Sequence, residues 1–178
     1  MSVRASYADW ADYSRRFTDT VRRMDPVDVA LRVPGSEDWP IWAVVGHMAG
    51  MRAYWLCGVA GEPGADLTPF PDPDGIGWED DLDQPRTVDE LVWALESTWQ
   101  LIDATLERWT PAMLSETVER DGSRGRQRHS RQSILLRLLY HEAYHAGEIN
   151  VALKANGRAL FDPWPHADWT IEPSGRGS

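Results

Sequence analysis

The chain has 178 residues, 42% of them hydrophobic, a formal net charge of −10 and one cysteine, Cys57. That length and apolar content fit a single folded domain and exclude a disordered chain. The negative charge argues against nucleic acid as a partner. The lone cysteine excludes an internal disulfide, and no segment has the apolar length of a leader or a membrane span, so a cytoplasmic protein with no membrane partner is expected.

Four segments carry helical periodicity. In the first, Tyr7, Trp10, Ser14, Phe17, Val21 and Met24 recur at three- and four-residue steps, and Pro26 interrupts the run. The second begins near Ser36 or Asp38 as a cap, with Pro40 in its first turn and an apolar stripe of Ile41, Val44, Met48, Met51 and Trp55. Gly58 and Gly61 mark its end.

Residues 62–86 form a Pro/Gly-rich acidic loop, with eight acids and, before Arg86, no Lys or Arg. A loop of this length reads either as a solvated excursion or as a flap or subunit contact using Phe70 and Trp78. Thr87 and Glu90 make a capping box for the third helix, whose buried side is Leu91, Leu95, Thr98, Ile102, Leu106 and Trp109. Thr110-Pro111 suits a short extra turn. The following stretch, ERDGSRGRQRHSRQ, carries five arginines from Arg120 to Arg131 and reads as a loop.

Ser130 caps the fourth helix, which Gly157 ends. Its inner face is Ile134, Leu138, His141, His145, Ile149 and Ala152. No stretch alternates with period two, so the expected fold is all-α: a single-domain four-helix bundle with long connections over residues 1–160, followed by a Trp/Pro-rich tail, 161–178, lying across it.

The chemistry concentrates in HEAYHAGEI, residues 141–149. His141 and His145 are four residues apart, so on a helix both rings lie on nearly one face and can converge on one ion. A third ligand has to come from another element. His47, midway along the second helix at the edge of its apolar stripe, is the candidate, because a histidine there needs a partner. His129 among the arginines and His166 in the tail read as bland, and Cys57 as a quiet packed thiol.

H-E-x-x-H is also the zinc-protease pattern. The metzincin extension would require Gly and His where this chain has Glu148 and Val151, and no strand is evident to hold an extended peptide. A protease is therefore not expected.

HEAYHAGEI, with GHMAGMRAYWL upstream, resembles the DinB-like superfamily of bacterial four-helix bundles, over most of the chain from the first helix through Gly157. The resemblance implies a divalent metal held by His47, His141 and His145, frequent homodimers, and relatives that are thiol S-transferases or isomerases using mycothiol, bacillithiol or glutathione. Other relatives are named as metal-dependent hydrolases. This chain departs from the family in its acidic loop and its Trp-rich tail.

Three neutral imidazoles would leave an ion its full charge and an open position, with zinc or nickel the first choices. The leading expectation is a thiol S-transferase acting on a small-molecule electrophile, with Arg124, Arg126, Arg128 or Arg131 holding carboxylates of the thiol or substrate. The alternatives are a metal-hydroxide hydrolase with Glu142 as general base, and a metal- or ligand-binding module without turnover.

Overall fold

The computed structural model describes residues 1–35, 39–122 and 125–164. Among the described residues, five α-helices and one hairpin, joined by short 3-10 and π-helical turns, make up the regular structure: α1 (Ala8–Arg22), α2 (Pro26–Val29), α3 (Ile41–Ala53), α4 (Val88–Arg108), β1 (Thr117–Gly122), β2 (Gly125–Ser130) and α5 (Arg131–Ala155). The fold is mostly helical. No helix among the described residues is long and apolar enough to cross a membrane.

Local chemistry sets the boundaries. Asp25 caps α2 through the amides of Val27 and Asp28, with Pro26 in the first turn, so the break after α1 becomes one short further helix. Thr87 and Glu90 cap each other reciprocally at the start of α4. The Ser130 hydroxyl accepts from the amide of Ser133 at the start of α5. Gly157, at φ 66°, ends α5 in the left-handed region that favours glycine. Pro40, expected inside the first turn of α3, stands just outside it with extended backbone. The alternative caps Ser36 and Asp38 lie outside the described residues.

Helix α3 is the centre of the molecule. It packs against α4 and α5, and α1 packs against α4. Its sequence predicts one apolar stripe, yet Ile41 to Gly46, Met48 and Ala49 are all buried. The reason is the acidic loop, which lies along the outer side of α3. The Phe70 ring would be 3.4 Å from a Cβ on Gly50, and Trp78 3.0 Å from a Cβ on Gly46. Two glycines one turn apart make the seat into which those rings pack, and Phe70 touches Trp78 at 5.2 Å between ring centroids. The segment is therefore not a wholly solvated excursion: Phe70 and Trp78 pack it onto α3. After Ala53 the helix widens into a π-helical turn, Tyr54–Val59.

The hairpin corrects the expectation of a loop between α4 and α5. Its register pairs Thr117 with Ser130, Glu119 with Arg128 and Gly122 with Gly125. The period-two pattern is weak in the sequence because neither face is strongly apolar: Glu119 pairs across the strands with Arg126 and Arg128, while Val118 and Arg120 turn inward, half-buried. The described start of the tail lies across α1 and α5. Phe161 is buried against Tyr13 and Phe17, with its backbone bracketed by Asn150 at 2.8 Å.

Candidate metal centre

Helices α3 and α5 bring His47, His141 and His145 together, with one ligand atom from each within 4.8 Å of the others. The Nε2 atoms of His141 and His47 are 2.9 Å apart, and those of His145 and His141 are 3.2 Å apart. Two of the rings are held from behind by carboxylates. His47 Nδ1 lies 2.5 Å from Glu79 Oε1, and His145 Nδ1 lies 2.7 Å from Glu148 Oε2. Each of those Nδ1–H groups therefore donates to its carboxylate, which fixes the tautomer and leaves Nε2 as a lone pair aimed into the cluster.

His141 stands between the two lone pairs and has at most one proton on Nε2 to offer them. Its Nδ1 is buried with no hydrogen-bond partner among the described residues. Burial, with His145 and His47 alongside, holds the His141 imidazole down at about 3, and burial also lowers His145. Near neutral pH no second proton is available to bridge the lone pairs. A cation meets the requirement of all three at once, so the cluster could hold a metal ion.

The carboxylates were not singled out from the sequence. Glu148, three residues after His145, carried a helical-spacing signal. Glu79 is one of eight acids in its loop and had none. It arrives because Phe70 and Trp78 seat the loop on α3. The Trp39 ring, 5.4 Å from His47, stands beside the cluster.

Glu142, expected as a general base, is placed elsewhere. Its carboxylate is buried and accepts from Arg52 Nε at 2.7 Å and from Trp10 Nε1 at 2.8 Å. One helical step of about 100° separates it from His141, enough to turn it out of the cluster and into the core. Arg52 extends this network to Leu95 O at 2.9 Å and to the hydroxyls of Thr98 and Ser14, so α1, α3, α4 and α5 meet on one buried ion pair. The sequence signal for it is an arginine in a helix that, His47 apart, is otherwise apolar.

The arginines expected to hold carboxylates of a ligand are also engaged elsewhere. Arg126 and Arg128 both pair with Glu119 at 2.7 Å. Arg131 lies 3.4 Å from Glu116 and over the Trp109 ring. Arg124 lies outside the described residues, as does His166. Cys57 is half-buried, and burial raises its thiol pKa.

No curated protein sequence matches the chain. Among solved structures it is similar to a DinB-like protein from Bacillus cereus ATCC 10987, with a TM-score of 0.67 at 12% identity, covering 89% of this chain and 95% of that one. At that identity the likeness concerns the fold. The family model of the DinB superfamily matches residues 8–149, which span α1, the acidic loop, the hairpin and all three histidines, and the chain belongs to that superfamily.

Proposed function

We propose that His47, His141 and His145 hold one divalent cation, zinc or nickel, and that the protein is a metal-dependent thiol S-transferase of the four-helix-bundle type. The thiol would be a low-molecular-weight one such as mycothiol or bacillithiol, and the second substrate a small electrophile. The observation that carries the metal site is the convergence of three Nε2 atoms, two of them tied back to Glu79 and Glu148.

When bound, such an ion lowers the pKa of a thiol or water at its open position so that it is deprotonated near neutral pH. The chain's own residues favour the thiol. Hydrolysis would call for a carboxylate free to take a proton from water. Glu142 is committed to Arg52 and Trp10, and Glu79 and Glu148 are committed to histidines. The hydrolase and the module without turnover remain the second and third readings.

A second copy is the expected protein partner. Tyr140, Tyr144 and Val151 stand exposed along one side of α5, an apolar stripe that suits an isologous dimer. The cytoplasm is the expected compartment.

Elemental analysis of untagged protein tests the ion. Turnover of an electrophile such as monochlorobimane, with and without added thiol, then tests the reaction. Consumption only in the presence of thiol supports the transferase. Ester hydrolysis without thiol would transfer the assignment to the hydrolase.

A further inference from the structure

Most of the described arginines form an ion pair with a carboxylate; Arg23, Arg120 and Arg137 form none among the described residues, and Arg23 stands apart at the end of α1. Both guanidinium groups lie against one indole: Arg120 is 4.8 Å and Arg137 4.7 Å from the Trp55 ring. Among the described residues Arg120 donates to neutral acceptors, the Tyr54 hydroxyl and Gln127 Oε1 at 2.9 Å. Arg137 is exposed. Two guanidinium groups on one indole, with no carboxylate partner among the described residues, create a local positive field in a chain of net charge −10.

Their position relates them to the histidines. Arg137 lies one turn before His141 on α5, about 6 Å along the axis. Tyr54 and Trp55 belong to the π-helical turn that follows α3, a distortion that often marks functional positions. A cleft of about 560 Å³ under the acidic loop is lined by both Glu79, which holds His47, and Tyr54, which holds Arg120. Asp72, Asp74 and Asp80 also line that cleft and neither arginine does, so an anion is favoured beside it, at the two guanidinium groups, rather than within it.

We infer that Arg137 and Arg120, stacked on Trp55, form a subsite for a single carboxylate of a small ligand whose other end reaches the histidine cluster. The planar guanidinium fork matches a planar carboxylate, and stacking on the indole holds the fork flat while its N–H edge stays available. The subsite itself needs no ion; only the second anchoring point rests on the metal reading.

Two titrations test it. Propionate is titrated into metal-stripped, 15N-labelled protein while the Trp55 indole N–H resonance, identified with Trp55→Phe, is followed. We expect a saturable shift that Arg137→Gln abolishes and that neutral propionamide does not produce. An equal shift with propionamide, no shift at all, an unchanged response in Arg137→Gln, or a stronger response to inorganic phosphate than to propionate would each overturn the subsite.

In cobalt-loaded protein, the sulfur-to-cobalt absorption band reports thiol binding. There 3-mercaptopropionate should bind roughly tenfold more tightly than ethanethiol, and Arg137→Gln should bring the two to parity. Equal affinities in the wild type would overturn the two-point ligand. A protein that takes no cobalt but shows the expected propionate response keeps the subsite and loses the metal reading.

Discussion

Two polar clusters lie back to back on α5, and they differ in completeness. The Arg52–Glu142 cluster is buried, and both carboxylate oxygens of Glu142 have donors from other helices. The histidine cluster is less deeply buried and turns its lone pairs inward on one another. A polar group in a core is tolerated when its hydrogen bonds are made within the chain, and the Arg52 network meets that condition. The histidine cluster meets it only with something added. Adjacent residues, His141 and Glu142, thus serve opposite ends: one is left open to a ligand, the other closes the core.

Substitutions should separate the two clusters sharply. His47→Ala or His145→Ala should empty the site, read by elemental analysis, while the circular dichroism of the helices stays near wild type. An unchanged ion content in either variant would remove the contrast. Arg52→Met should do the reverse. It leaves Glu142 as an uncompensated buried charge and should cost about 3–5 kcal/mol in urea unfolding, with any folded fraction still binding metal.

Glu79→Gln probes the boundary between loop and site. It weakens the acceptor behind His47 and should reduce metal affinity by about 10–100-fold in a chelator competition, without unfolding the chain. Gly46→Ala should have a smaller effect. Its new methyl would lie 3.0 Å from Trp78, so the loop must shift, and a fewfold loss of metal affinity is expected by the same competition.

A further effect concerns pH in the metal-free protein. His141 is depressed to about 3 when folded, against the ordinary histidine value near 6.5 when unfolded. Above the unfolded value both states are neutral and stability is full. Between about 6.5 and 3 the unfolded chain binds the extra proton, so stability is lost as pH falls through that window. Urea midpoints of metal-stripped protein should decline from pH 6.5 downward, and His141→Ala should flatten part of the slope. Equal slopes would show that the ring contributes no such linkage.

Much of this contrast was legible beforehand. Helical spacing brought His141 and His145 to one face, and the position of His47 in an apolar helix marked it as needing a partner. What the spacing could not give was the direction of Glu142. A residue one step round from a ligand can point either way, and the deciding element, Arg52, came from another helix. Glu79 was illegible for a different reason: only the packing of Phe70 and Trp78 on two glycines distinguishes it from its acidic neighbours. The hairpin was hidden because its strands are held by charge pairs such as Glu119 with Arg126 and Arg128 rather than by an apolar face.

The seat on α3 has a consequence for evolution and engineering alike. A surface insertion can ordinarily be trimmed at little cost. Here, excising residues 62–86 would strip the covering from a helix whose sequence has few polar groups to meet water, and would also take the brace from one ligand. A shortened chain should therefore fail in two ways together, becoming sticky in solution and loosening the histidine cluster, and any homologue lacking this strap would need bulkier, more polar side chains at positions 46 and 50.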